Sequence, residues 1–220
     1  MRIHLRTTPS TSIVPFNYQG LLCGTLHKWL GINEHHDKLS LYSFSWLNNA
    51  EKRKDGFVFP NGSSWFISCH YEHMLKKLIE GIQNDPEMFN GLVVKEVTLQ
   101  QNPSFGNEQV FRVANPVFIK RNVGERQHFY YFNDAESNQL LTENLQFKLK
   151  AAGLAFENAS VTFITQNTGF VPKVKGFTYK GIFNKGSVCP VKVTGTPEQL
   201  AFAWNVGVGN STGIGFGALV

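Results

Sequence analysis

The order in which hydrophobic periodicities succeed one another constrains this chain more than any single residue does. MRIHLRTT alternates apolar and polar side chains as a half-buried strand does, and PSTSIVP breaks the pattern. From Asn17 the period lengthens: Leu22, Leu26, Trp29 and Leu30 share one helical stripe, with Gly31 where a helix stop is expected. LSLYSFSWL, then GFVF and SWFISC around the turn PNGS, read as strands. HYEHMLKKLIEGI reads as an amphipathic helix ending at a glycine, and GLVVKEVTLQ as a β-branched strand. The polar stretch 101–108, QQNPSFGN, is the expected connection to a second round. There QVFRVANPVFIK and HFYYF read as strands, ESNQLLTENLQFKLKAAG as a helix with a glycine stop, and VTFIT, KVKGFTYKG and SVCPVKVTG as strands. Thr196, Pro197 and Glu198 open a helix over PEQLAFAWNV, because a hydroxyl caps free amides and proline suits the first turn, and GALV is a short last strand. Two rounds of βαββαβ predict an α+β protein of two tandem ferredoxin-like, RRM-like domains, 1–103 and 104–220, each with helices on one face of its sheet.

Composition narrows the function classes. With 220 residues, 42% apolar and 17% charged, the chain is too hydrophobic to stay disordered and long enough to bury a core without staples. Cys23, Cys69 and Cys189 are odd in number, far apart and never in a CxxC spacing, which supports neither a disulfide framework nor a Cys-rich zinc site and fits a reducing cytoplasm. The start carries no apolar leader, and no stretch approaches the ~20 apolar residues of a membrane span, so a soluble, unprocessed protein is expected. Charge is uneven: ten Lys/Arg face ten Asp/Glu in residues 1–111, but eleven face six in 112–220. Between Glu157 and Glu198 stand Lys173, Lys175, Lys180, Lys185 and Lys192 with no carboxylate among them. Unopposed lysines on one ribbon suit a polyanion; the plainer reading is a solvated hairpin face. KGFTY begins like an RNA-recognition motif and then departs from it, placing Phe177 and Tyr179 among the lysines as candidate stacking surfaces.

The tail VGVGNSTGIGFGALV is the most specific feature. Gly207, Gly209, Gly213, Gly215 and Gly217 follow a helix, whereas a dinucleotide fingerprint needs a strand before its glycines and a helix after them, and a Walker loop needs GK[ST]. Both are excluded. What remains is a glycine loop, 207–217, whose backbone around Asn210, Ser211 and Thr212 is available to a phosphate run, or else a tight turn that packs a final strand.

The segments PFNYQGLLCGTLHKWL, LYSFSWL, WFISC before the second helix, the pair KVKGFTYKG and SVCPVKVTG, and above all the tail GVGNSTGIGFG together resemble a known family. It is the repeat-cleaving endoribonucleases that mature CRISPR guide RNA, the sixth-numbered family of CRISPR-associated proteins, within the repeat-associated (RAMP) superfamily. The resemblance spans essentially the whole chain. It implies tandem ferredoxin-like domains, with the glycine loop and a basic hairpin gripping repeat RNA. It also implies metal-independent chemistry in which the ribose 2′-hydroxyl attacks the neighbouring phosphate, leaving a 2′,3′-cyclic phosphate and a 5′-hydroxyl. That reaction needs a base, an acid and positive charge at the phosphorane, and imidazoles serve either proton role near neutrality.

Carried over residue by residue, the resemblance places His27 where many members have a catalytic tyrosine or histidine, and His36 at the catalytic histidine. His35 is an equally available imidazole in a slightly shifted register. Lys38 stands near the lysine that stabilises transition-state charge, with a solvated loop lysine as the alternative, and Tyr18 is a further candidate. His27 lies at the margin of the buried stripe, as a cleft wall requires. Two decoys carry less. Glu34, His35, His36 and Asp37 are adjacent residues that rarely converge on one ion, and Cys69, His70 and His73 lack a fourth ligand and simply open the second helix. No metal and no cofactor are expected. The implied partners are CRISPR repeat RNA and a CRISPR effector complex, with the chain a monomer or homodimer. The rival from another class is a catalytically inactive RNA-binding subunit of such a complex.

Overall fold

A computed structural model describes residues 1–31, 39–166 and 169–220. Chain order is β1 (Arg2–Thr7), α1 (Gln19–Leu30), β2 (Tyr42–Phe44), β3 (Glu51–Lys52), β4 (Phe57–Val58), β5 (Ser64–Cys69), α2 (Glu72–Asn84) and β6 (Val94–Gln100). It continues with β7 (Glu108–Phe111), β8 (Ile119–Val123), β9 (Arg126–Tyr130), α3 (Ser137–Ala151), β10 (Ser160–Phe163), β11 (Lys173–Tyr179), β12 (Ile182–Val188), β13 (Val191–Thr194) and α4 (Pro197–Val206).

The alternation of β1 puts Ile3 and Leu5 on one face, opposite Ile67 and Trp65 of β5 across an antiparallel ladder. The stripe of α1 and the Met74, Leu75, Leu78 and Ile82 face of α2 bury against that same side. Strand order is β2-β5-β1-β6, antiparallel throughout. The second sheet repeats the plan as β10-β13-β7. Its fourth place, beside β7, is taken by the end of the chain: Arg112 and Val220 exchange backbone hydrogen bonds of 3.0 and 2.9 Å, and the Ala114 N–H donates to the Ala218 carbonyl at 2.8 Å. The fold is thus α+β with ferredoxin-like topology in both sheets. α4 starts as its sequence predicts, with a capping box: the Gln199 N–H donates to Thr196 Oγ1 at 3.3 Å and the Thr196 N–H to Gln199 Oε1 at 2.8 Å.

Three sequence expectations need correction. GFVF and SWFISC do not pair with each other; β4 pairs with β3, while β5 lies between β1 and β2. Past Gly62, at φ +76°, Ser63 bonds Thr7 through both its amide and its carbonyl, which steers the chain along β1. Gly81 does not end its helix, which runs on to Asn84. A Cβ at Gly81 would stand 2.2 Å from the Trp29 carbonyl oxygen, so this glycine lets α2 meet α1 closely. QVFRVANPVFIK is two elements: β7 ends at Phe111, and β8 belongs to a separate hairpin with β9. The break falls at Asn115 and Pro116, where a buried side chain replaces the ladder as hydrogen-bond partner. Among the described residues no helix is long and apolar enough to cross a membrane.

The β11–β12 hairpin projects from the second half towards α1. Phe177, Phe118 and Phe216 form a separate apolar cluster that clamps it to the glycine tail, with Phe177 and Phe216 ring centroids 4.3 Å apart.

Candidate active site and nucleic-acid interface

A cleft of 430 Å³ forms where three elements meet beside Ser40 and Tyr42. α1 supplies Gly20, Cys23, Gly24 and His27, which recur at helical spacing on one face. A Cβ on Gly20 or Gly24 would meet nothing within 4 Å, so the helix presents bare backbone with the His27 ring beside it. The tip of the β11–β12 hairpin supplies Tyr179 and Lys180, and the glycine loop supplies Ser211, Gly213 and Ile214. One imidazole, one ammonium and two phenols, those of Tyr179 and Tyr42, thus share a hollow otherwise lined mostly with small residues.

Each group is held by identifiable contacts. The Tyr179 phenol and Cys23 thiol hydrogen-bond one another. Burial raises both pKa values, with Cys23 pushed up to about 11, so each keeps its proton at neutral pH and neither acts as a resting base. Lys180 and Gly181 form the two-residue hairpin turn, and both have positive φ, +47° and +79°. That is the type I′ pattern, which glycine, asparagine or aspartate adopts more cheaply than lysine. The turn aims the Lys180 side of the hairpin at the cleft.

The glycine loop is largely buried, and its glycines answer first to protein contacts. A Cβ on Gly217 would stand 1.9 Å from the Val208 carbonyl oxygen, and one on Gly207 2.6 Å from the Gly217 carbonyl oxygen. The amides of Gly207, Asn210, Gly215 and Gly217 already donate to Ala203, Phe118, Thr212 and Pro116. Gly209 lies against the Phe118 carbonyl. Of the loop, Ser211, Gly213 and Ile214 line the cleft, and Thr212 itself is buried. The loop hangs from side chains: Tyr42 Oη donates to the Gly213 carbonyl at 3.3 Å, Trp46 Nε1 to that of Gly215 at 2.8 Å, and Lys148 Nζ to the Gly209 carbonyl at 3.1 Å and Thr212 Oγ1 at 3.2 Å. Sequence reasoning missed Lys148, whose place on α3 reads as a solvated helix lysine.

Burial lowers the Lys148 ammonium from its ordinary 10.5 to about 7. An unfolded chain therefore holds more protons than the folded one between those values, and stability rises with pH across that window. Denaturant titration is expected to show wild type gaining on Lys148→Met from about pH 7 to 10 and losing that gain as pH falls through 7; parallel profiles would contradict it.

The remaining candidates separate. Lys173, Lys175 and Lys185 lie on the hairpin, with Lys175 Nζ 4.9 Å above the Trp46 ring. Lys192 does not: it lies on β13, 3.7 Å from Glu108 of the adjacent β7. Phe177 is buried in its aromatic cluster and offers no stacking face, a correction to its reading as one; Tyr179 is half-buried at the cleft. Tyr18 is buried away from His27, its hydroxyl accepting from the Leu47 N–H at 3.2 Å. His35, His36 and Lys38 lie outside the described residues, as do Glu34 and Asp37. Among the described residues no three His, Cys, Asp or Glu side chains are grouped to hold a metal ion.

Comparison with known proteins follows this geometry. Residues 99–220, more than half of the chain, match the family described as CRISPR associated protein Cas6, C-terminal. A curated relative from Methanocaldococcus jannaschii, named CRISPR-associated endoribonuclease Cas6 1, is 22% identical over all of this chain and 92% of its own length. A second, from Pyrococcus horikoshii, is 21% identical over 99% of this chain and 98% of its own, and bears the name putative CRISPR-associated endoribonuclease-like protein Cas6nc. A solved structure described as a Cas6-related gene from Pyrococcus furiosus superimposes with a TM-score of 0.85 at 20% identity, covering all of this chain and 97% of the other. With a family match over its second half and the same fold from end to end, the chain belongs to the Cas6 family of CRISPR-associated proteins.

Proposed function

We propose that this chain binds CRISPR repeat RNA and cuts the precursor transcript within each repeat, without a metal ion. The observation that carries the reading is the 430 Å³ cleft in which His27, Lys180 and the Ser211–Gly213 edge face one space. In the proposed step the ribose 2′-hydroxyl loses its proton to a base and its oxygen attacks the adjacent phosphorus. The bond to the 5′-oxygen breaks, that oxygen takes a proton from an acid, and a 2′,3′-cyclic phosphate remains. His27 supplies one proton transfer, and His36 is assigned the other on sequence resemblance, with His35 its neighbour in register. Lys180, with Lys38 on resemblance, offsets the charge that grows on the phosphorane. Lys173, Lys175 and Lys185 hold the flanking backbone through a salt-dependent attraction.

The two curated relatives differ in name, one an endoribonuclease and the other endoribonuclease-like, so a non-cleaving RNA-binding role is the second reading. Labelled repeat RNA incubated with the protein in EDTA separates them. Cleavage predicts a cyclic-phosphate product and an inert substrate when the cut position carries 2′-deoxyribose. Bound but intact RNA selects the second reading, and a 3′-phosphate-free product that requires added metal overturns the mechanism. Lys175→Ala is expected to weaken binding and to flatten the log–log salt slope by about 1, since one phosphate contact releases about one counterion. An unchanged slope would return Lys175 to a solvated face.

A further inference from the structure

A second hollow, of 670 Å³, lies beside the cleft and shares its walls. Along β11 and into its turn, Lys175 to Thr178 line the second hollow while Tyr179 and Lys180 line the first; along α1, Gln19 borders the second and Gly20 the first. We propose that this second hollow seats one unstacked base of the RNA strand that crosses the cleft, a reading that rests on the RNA-binding function above.

Four observations carry it. Two aromatic rings at its rim stay in water where burial would be the default: Phe183 is 60% exposed and Phe16 43%. Cations flank the rings, Lys175 above Trp46 and Lys52 Nζ 5.8 Å from the Phe16 centroid, which is the composition of a single-strand stacking platform. Gly176, in mid-strand without positive φ, has its own explanation here: a Cβ would stand 2.5 Å from Phe183 Cζ, so the glycine lets that ring lie across the hairpin. The polar lining suits a base rather than a phosphate. Asp55 borders the hollow with a carboxylate that repels phosphate but accepts from an exocyclic amine, and Gln19, also in the lining, keeps a buried Oε1 that accepts no hydrogen bond from the described residues. The occupant is therefore a base that turns a donor edge to these acceptors, as the exocyclic amines of adenine, cytosine and guanine do. The two hollows adjoin at Thr178 and Tyr179 and at Gln19 and Gly20, and with ~3.3 Å of rise per strand residue this places the seated base within about three nucleotides of the scissile phosphate.

The test is a coupling measurement on the full chain. Repeat RNA with a single abasic site walked through its unpaired positions is bound to wild type, to Phe183→Ala and to Phe16→Ala/Phe183→Ala, with circular dichroism as the check on folding. Loss of the stacked base is expected to weaken wild-type binding about 10-fold at one position within three nucleotides of the cut, and the aromatic variants are expected to weaken binding of intact RNA equally but to lose nothing more at that position. Phe183→Trp is expected to restore the affinity, and the salt slope stays the same in every aromatic variant. Additive losses at every position, or a variant that binds intact RNA as wild type does, overturn the base seat and leave RNA binding standing. Wild type that binds no repeat RNA at low salt overturns the functional reading itself.

Discussion

His27→Ala is expected to slow cleavage of repeat RNA about 100- to 10,000-fold while leaving its binding within a few-fold. The imidazole stands in the cleft among small residues, and the groups that attract phosphate, Lys180 and the hairpin lysines, come from other elements and survive the substitution. A proton-transfer group and a phosphate clamp therefore leave different signatures: the first lowers the single-turnover rate, the second raises the dissociation constant. His36→Ala is expected to match His27→Ala in rate, and the double variant to lose little more than either, because two partners in one proton relay act as a unit. Single-turnover cleavage in EDTA measures all three. An unaltered rate in His27→Ala would remove that residue from the chemistry and leave it a wall of the cleft.

Asn115→Ala is expected to cost about 3 kcal/mol of stability and to lower the melting temperature by about 10 °C, a shift calorimetry resolves. The Asn115 amide is buried between the two halves. Its Nδ2 donates to the Phe44 carbonyl at 2.9 Å and to the Gly215 carbonyl at 2.6 Å, and its Oδ1 accepts from the Ala218 N–H at 2.9 Å. Removing the side chain strands two buried backbone groups, the Phe44 carbonyl in a strand of the first sheet and the Ala218 N–H in the closing segment of the second, and leaves the Gly215 carbonyl of the glycine loop with Trp46 Nε1 alone. Asn115→Asp keeps an acceptor, loses both donations and buries a charge, so it is expected to be worse than alanine at neutral pH. A melting temperature within 2 °C of wild type for both would show that the joint is held elsewhere.

How far the sequence could be read depended on whether a signal was local. The βαββαβ rounds were legible because periods of 2 and 3.6 report which face of an element meets the core, and β1 and α1 each meet it within their own half. The position of His27 off the stripe was legible for the same reason. The union of α1 with Tyr179 and Lys180 was not, because it depends on the hairpin being clamped by Phe118 and Phe216, residues that are remote in the chain. The glycines show a different limit. A backbone that approaches RNA and one that approaches protein both exclude a Cβ, so sequence marks Gly207 and Gly217 as close-contact positions without saying what they contact. Lys192 joined the basic ribbon by proximity in sequence, but the sheet register sets it near Glu108, 84 residues earlier in the chain. Phe16 and Phe183 escaped notice because exposed aromatics have no periodicity to announce them.

The hairpin turn at Lys180 and Gly181 sets two selection pressures against each other. A library sorted only for thermal tolerance would favour Lys180→Asn or Lys180→Gly, which relieve a strained left-handed residue by about 1 kcal/mol. Those same survivors would lose the cation at the mouth of the cleft, so heat-hardened descendants of this chain should be poor processors of RNA unless both traits are screened together.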